Sequence, residues 1–469
     1  MLFPTLGFLS FFIAVAAIMA PLRQHFEARK LALVAASYVF YAQWNWRFCL
    51  LLAFSSAMTF AAGRAIAASA APQTRIVVVS AAVASHLLLL GVFKYFDFFV
   101  ESANRLAHSA GLRTQLPLFE IILPVGISFF TFHGISYVVD VYRGDVPVCR
   151  RLRDMLLYLS FFPQLVAGPI VRASFFLPQL YAAPARGIAL GPPLMLILGG
   201  LFKKIVMANY LATDLVDPVF FDPANFTTLD LLMAAYGYAI QIYCDFSAYS
   251  DMAIGLAALL GFRFPPNFNQ PYRAQSLQEF WRRWHISLSS WLRDYLYKPL
   301  GGSRGGGVLT MRNLMITMLL GGIWHGAAWK YVMWGALHGV GLVAERSLMP
   351  ALRTWAASRA GGVLATILVF HFVCLAWVFF RADSYDAAII FLRTLSHMTP
   401  GASQVSPFTA SLIALGLAVQ FVPDDLARRL ALRLAAWPDW TVATVSGLGV
   451  VAIAALGPEG VAPFIYFQF

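Results

Sequence analysis

The chain has 469 residues, 60% hydrophobic and only 12% charged, with a formal net charge of +12. Soluble domains run near 45–50% apolar and about 25% charged, so this composition excludes a water-soluble globule, which could not cover itself with polar surface. The positive balance does not indicate nucleic acid: Lys and Arg fall mostly between apolar runs, as orientation and lipid contact require, and no RNA- or DNA-binding motif accompanies them.

Apolar runs of bilayer length, roughly 17–25 residues, recur from end to end. The N-terminus lacks a basic n-region and a small-residue cleavage site, so it reads as a retained first span rather than a secretory signal. Candidate spans are Phe3–Met19, Leu31–Tyr41, Phe48–Ala62, Ile76–Phe93, Ile121–Val141, Met155–Val171, Pro192–Met207, Leu231–Leu260, Asn313–Val343, Gly362–Phe380, Pro407–Val422 and Thr441–Leu456. In lipid every backbone polar group is paired inside its own segment, and the short alternating segments of a barrel are absent. The expected fold is therefore all-α: a polytopic integral membrane protein of about eleven transmembrane helices. A single membrane domain is expected over residues 1–469, with a motif-rich block at about 116–343. Cys49, Cys149, Cys244 and Cys374 are scattered, form no Cys-x-x-Cys, and read as small core residues.

One long stretch, Gly261–Arg312, does not read as a span. It opens with turn residues Pro265, Pro266, Asn267, Asn269 and Pro271. Ser276 and Glu279 then form a Ser-x-x-Glu capping box that announces a helix. Trp281, Trp284, His285, Leu288, Trp291 and Leu292 recur at three- and four-residue steps, with Arg282, Arg283, Ser289 and Arg293 between them. Two readings stand: a cationic helix lying in the headgroup layer with its arginines on phosphates, or a helix that dips into the protein and carries His285 toward the bilayer interior.

The stretch "LLGGIWHGAAWKY" holds His325 about a dozen residues inside a run that begins near Asn313, ~18 Å along a straight helix and close to mid-bilayer. Gly321, Gly322 and Gly326 loosen that helix and permit close approach, while Trp324 and Trp329 can wall a cavity. Desolvation keeps a buried imidazole neutral, and a neutral imidazole accepts a proton from a hydroxyl. Without a good leaving group this does not drive acyl transfer, so an activated donor such as a thioester is expected. His338, thirteen positions on, projects away from His325 if the helix is continuous and reads as structural, as do His86 and His371; His133 is a weaker cavity candidate. Asp245, Tyr249 and Asp251 sit inside an apolar run, where the carboxylates need partners: arginines of the amphipathic helix, or a catalytic group to orient. No His-Glu-x-x-His or Gly-x-Ser-x-Gly occurs, so neither a zinc site nor a serine-hydrolase elbow is expected. The glycine run Gly301–Gly307 reads as a loop rather than a phosphate cradle.

Six ordered blocks carry a resemblance: "LPVGISFFTFHGISYVVDVYRG", "FFPQLVAGPIVR", "QIYCDFSAYSDMAIGLAALLGFRFPPNFNQPY", "EFWRRWHISLSSWLRDYLYKPLGG", "GGIWHGAAWKYVMWGALHG" and "PFIYFQF". The chain resembles the membrane-bound O-acyltransferase (MBOAT) superfamily, in particular its bacterial polysaccharide-acetylating branch, of which alginate acetylation is the type activity. The resemblance implies that His325 is the intramembrane catalytic histidine and His285 the second signature position. It implies helices ringed around a thinned, funnel-shaped centre with re-entrant helices, which favours the dipping helix. It further implies a cytoplasmic acyl-CoA-type donor such as acetyl-CoA, no tightly bound cofactor, no metal, a bacterial inner-membrane location, and relay of the acetyl group to a separate periplasmic acetyltransferase. Trp324, Arg282, Arg283, Lys298 and Asp251 are candidate donor or substrate contacts; for the three cations, lipid contact remains an equal reading. The glycan stays open: alginate, cellulose, peptidoglycan or another glycan. A transporter for a small acyl carrier and a non-catalytic scaffold are the rival functions.

Overall fold

A computed structural model describes residues 3–112, 115–182, 189–356 and 358–458. The sixth signature block, Pro463–Phe469, lies outside the described residues. Among those described the regular structure is helical. Six helices are long and apolar enough to cross a membrane, and two shorter apolar helices, Leu6–Met19 and Pro407–Phe421, accompany them. The chain is a multi-pass, all-α membrane protein. Its contacts divide it into two compact units, Met1–Ile188 with Ala257–Phe264, and Ala189–Leu256 with Pro265–Phe469.

The first unit is built from α1 (Leu6–Met19), α2 (Phe26–Asn45), α3 (Arg47–Ala68), α4 (Pro72–Leu90), α5 (Phe96–Ser109), α6 (Ile127–Arg143), α7 (Leu152–Ser160) and α8 (Ala173–Tyr181). Three side-chain contacts fix its sense. Lys30, at the start of α2, pairs with Asp154 at the start of α7 at 3.1 Å. Arg75, at the start of α4, donates to the Tyr142 carbonyl at the end of α6. Tyr41, near the end of α2, donates to the Val125 carbonyl just before α6. One side of the unit thus gathers Arg29, Lys30, Arg75, Arg143, Arg150, Arg151 and Arg153, with Glu27 bridging Arg151 and Arg153.

The expected span Met155–Val171 is not one helix. α7 stops at Ser160, Phe161 turns extended, and Pro163 sits at the start of a separate short turn, Phe162–Leu165; inside a continuous helix Pro163 would have no N–H to give the Leu159 carbonyl. The chain then crosses the interior irregularly, and its polar groups are met locally: Gln164 donates to the Tyr158 carbonyl, and Tyr158 donates to the Val171 carbonyl. Irregular backbone survives at membrane depth only when protein encloses it in this way. His133 is buried here against Tyr158, and His86 hydrogen-bonds Thr59 at 3.0 Å.

The second unit begins with the run α9 (Gly191–Phe221), interrupted by π-helical turns at Phe202–Ala208 and Ala212–Val216. It continues through α10 (Thr228–Leu259), α11 (Leu277–Arg283), α12 (Ile286–Leu292), α13 (Gly306–His325), α14 (Trp329–Ala356), α15 (Arg359–Arg381), α16 (Tyr385–Ser396), α17 (Pro407–Ala418), α18 (Asp424–Ala435) and α19 (Asp439–Leu456). His371 on α15 is held by Tyr236 at 2.7 Å.

The expected span Asn313–Val343 proves to be a hairpin of two helices, α13 and α14, that turns immediately after His325. Glycines make the close pairing possible. A Cβ on Gly322 would run into the Tyr331 carbonyl and the Gly335 backbone, and one on Gly326 would enter the Tyr331 ring. Gly322→Val should therefore splay the hairpin. Its expected effect is a several-fold loss of folded protein in membranes, measured by detergent-resistant yield, with transfer activity lost in parallel; overpacking of a tight interface typically costs about 1–3 kcal/mol.

Candidate active site

The amphipathic segment forms two short helices rather than one. Ser276 caps α11 as its sequence promised, accepting from the Glu279 backbone N–H at 3.0 Å. α11 then ends at Arg283, and His285 adopts the left-handed conformation, φ 43°, before α12 begins. That backbone is uncommon for a side chain with a Cβ and is held only where surroundings enforce it. Here the loop at 267–269 enforces it. The Ile286 N–H donates to the Asn267 carbonyl at 2.8 Å, and the Asn269 N–H to the Arg283 carbonyl at 2.9 Å, one on each side of the break. Trp284, Leu288, Trp291 and Leu292 are buried in the protein rather than laid on a membrane surface. Of the two readings of this segment, the protein interior is where its apolar face goes.

His285 is 0% exposed. Its ring meets Phe246 of α10 edge-on at 4.6 Å and lies nearly parallel to Phe268 at 6.4 Å. Nδ1 faces the Asn267 Oδ1 at 3.2 Å, and Nε2 has no hydrogen-bond partner among the described residues. His285 lies between the candidate spans. Burial lowers its pKa, with no charged neighbour contributing, so the ring is neutral at ordinary pH.

His325 approaches from a different element. It is the last residue of α13, not the middle of a long span, and is 3% exposed. Its ring packs edge-on against Trp324 at 5.0 Å, Trp334 at 4.9 Å and Phe380 at 5.2 Å. The Trp324 ring also lies 6.0 Å from the His285 ring. One indole thus contacts both imidazoles, which come from segments 40 positions apart in sequence and are separated by no more than those two distances combined. A neutral imidazole with an open ring nitrogen, and a second imidazole on the same indole within an aromatic enclosure, are equipped to hold a hydroxyl and move its proton.

The sequence pattern of the membrane-bound O-acyltransferase family matches residues 151–382, which include both histidines. A protein named probable alginate O-acetylase from Pseudomonas aeruginosa is 45% identical over 364 residues, 77% of this chain and 68% of its own length. The chain belongs to the MBOAT family. A counterpart of the same name from Pseudomonas putida is 38% identical, covering 94% of each chain. A peptidoglycan O-acetyltransferase from Helicobacter pylori is 36% identical over 86% of this chain and 81% of its own. The protein is accordingly an O-acyltransferase.

Within this MBOAT site the other sequence candidates separate. Trp324 stands between the two histidines. Trp329, the other expected wall, is 55% exposed; Trp334 takes that place because the hairpin turn reorients everything after Gly326. His338 does not project away as a continuous helix would dictate. It packs on the Trp334 ring at 4.8 Å, on the same indole that His325 touches. Arg283 is engaged by Glu279 at 2.8 Å and Lys298 by Asp294 at 2.7 Å, while Arg282 is exposed. Where arginines of the amphipathic segment were one expected set of partners, Asp251 pairs with Lys203 at 2.6 Å and Asp245 with Lys204 at 2.7 Å, both lysines on the first π-helical turn of α9. The glycine run is a turn pinned by Asn313, whose Nδ2 donates to the Gly302 carbonyl.

Asn267, Phe246, Phe268, Trp334 and Phe380 were not marked as site residues by sequence. Asn267 was visible only as one turn residue among several.

Proposed function

We propose that this MBOAT protein moves an acetyl group from a cytoplasmic acyl-thioester donor, acetyl-CoA or its like, toward hydroxyls of an exported cell-surface polysaccharide. The carrying observation is the convergence of His285 and His325 on Trp324 from separate elements. In the proposed step an acceptor oxygen attacks the thioester carbonyl, its proton passes to an imidazole, and the C–S bond breaks. The departing thiolate recovers that proton, leaving an ester and a free thiol. His325 serves as the base or holds the acceptor, with His285 on the far side of Trp324. Relatives bearing alginate and peptidoglycan acetylation in their names support an acetyl cargo and a glycan destination.

The basic side of the first unit supports a bacterial inner-membrane orientation with that side cytoplasmic, where a coenzyme A thioester is available. Delivery to a glycan outside the membrane then calls for a periplasmic acetyltransferase that takes the acetyl group onward. Alginate is the first glycan to test.

The test uses purified protein in proteoliposomes with acetyl-CoA, following thiol release and acetyl transfer to added glycan or partner. Wild type is expected to release thiol, and His285→Ala and His325→Ala to fall to background. Equal release by all three proteins would refute the reading; uptake of acetyl-CoA without thiol release would establish the transporter instead.

A further inference from the structure

The hydrogen bonds around Asn267 determine which nitrogen of His285 carries the proton. The Ser287 backbone N–H donates to the Asn267 Oδ1 at 3.1 Å. A backbone N–H has no acceptor capacity, so the amide atom facing it must be oxygen; a flipped amide would set two donors against each other. The amide's other end agrees, with Nδ2 donating to the Ser250 Oγ at 3.0 Å. The Ser287 hydroxyl also donates to Oδ1, at 2.8 Å. His285 Nδ1 lies 3.2 Å from that same oxygen. A bare Nδ1 there would press a lone pair against a carbonyl oxygen, whereas Nδ1–H donates to it. The Ser287 Oγ, 3.4 Å from Nδ1 and with its own hydrogen turned to Asn267, is a second acceptor for the same N–H.

We propose that Asn267 is a positioning residue that locks His285 in the Nδ1–H tautomer and so leaves Nε2 as a bare acceptor. The inference rests on the acyl-transfer reading and sharpens it. A neutral His285 in this state cannot donate a hydrogen bond from Nε2 to a developing oxyanion. It can accept the acceptor hydroxyl's hydrogen and so aim that oxygen; where His325 holds the acceptor rather than acting as base, His285 takes the proton at Nε2 on attack and returns it to the departing thiolate. Asn267 also supports the backbone. α12 has no side-chain cap of its own, and Asn267 supplies one from the neighbouring loop through the Ser287 N–H. The first turn of α12 and the ring tautomer are thereby set by one amide oxygen, next to the backbone bonds of the same loop that hold His285 left-handed. The side chains packed on the ring, Phe246, Phe268, Asn267, Ser287 and Trp324, carry no charge, and His325 lies beyond Trp324.

The test compares Asn267→Asp and Asn267→Leu in the full-length protein with its partner present, reading acetyl transfer across pH and the amount of protein in the membrane. Aspartate keeps the acceptor oxygen and the tautomer but adds a charge that stabilises the imidazolium and raises the His285 pKa. The variant should approach the wild-type rate at high pH and lose activity as pH falls through that raised value, an acid limb wild type lacks. Leucine removes the acceptor, and the rate should fall roughly 10²-fold at every pH. An aspartate variant with the wild-type profile, or one that accumulates normally yet is inactive at every pH, overturns the proposal. So does a normally accumulating leucine variant with the wild-type rate. Should the leucine variant fail to accumulate, the aspartate profile decides alone. His325→Ala is run alongside: full activity there removes the acyl-transfer reading, whereas an inactive His325→Ala with an unshifted aspartate profile removes only the role of Asn267.

Discussion

Replacing His325 by alanine is expected to lower acetyl transfer by roughly 10²–10⁴-fold, the usual effect of deleting a positioned base, while the protein still inserts and accumulates. The measurement is ester content of the exported glycan set against protein in the membrane fraction. Alanine alone would leave an ambiguity, because the ring fills space between Trp324, Trp334 and Phe380. Its loss opens a void at the hairpin turn that could disturb Trp324. His325→Gln resolves this. Glutamine keeps much of the volume and a hydrogen-bonding end but cannot take a proton at neutral pH. Accumulation at wild-type level with activity as low as alanine's assigns the loss to proton chemistry. Glutamine at the wild-type rate would sink the role of His325 as base and leave at most a positioning role.

What could be read from the residues divides along physical lines. Fold class and membrane habit follow from summed hydrophobicity, which tolerates errors of several residues at every boundary. His325 and His285 stood out because an ionisable ring in apolar surroundings is anomalous wherever the helix ends fall. The breaks were harder. Nothing local distinguishes Gly326–Ala328 from the glycines before it, and the turn depends on Tyr331 filling the space beside Gly326. The left-handed residue at 285 depends on Asn267, and no helical periodicity rule contains a loop 18 positions upstream. An unbroken helix was therefore assumed at both histidines. That assumption also misplaced Trp329 and His338 by carrying the 100° step across a turn. Pro163 was a different case: it announced the interruption of Met155–Val171, but the apolar residues around it outweighed it.

The intramembrane carboxylates show a signal that was present and misassigned. Two consecutive lysines, Lys203 and Lys204, stand in one apolar run, and Asp245 and Asp251 in another. Charges at membrane depth pair with one another, so two cations and two anions of equal isolation are each other's natural partners. The arginines of the amphipathic segment had water and the acids Glu279 and Asp294 within reach. The two pairs differ in burial, and that difference makes the second large prediction. The Lys204 and Asp245 side chains are 2% and 5% exposed, against 19% and 32% for Lys203 and Asp251. Removing one charge of a buried pair strands the other without solvent, at a cost of about 3–5 kcal/mol; the less enclosed pair leaves its remaining charge more room to find another partner and costs less.

Asp245→Leu and Lys204→Met should each lower the thermal midpoint in detergent sharply and deplete the membrane fraction. Lys203→Met should lower the midpoint less. Combining Lys204→Met with Asp245→Leu removes both charges and fills their space with apolar atoms, so the double variant is expected to be more stable than either single. The thermal midpoints of the four proteins with wild type form a double-mutant comparison, in which coupling appears as failure of the single effects to add. Strictly additive losses would mean that the two groups do not sustain one another. The π-helical turn at Phe202–Ala208, which presents neighbouring lysines to acids six positions apart on α10, would then need another cause.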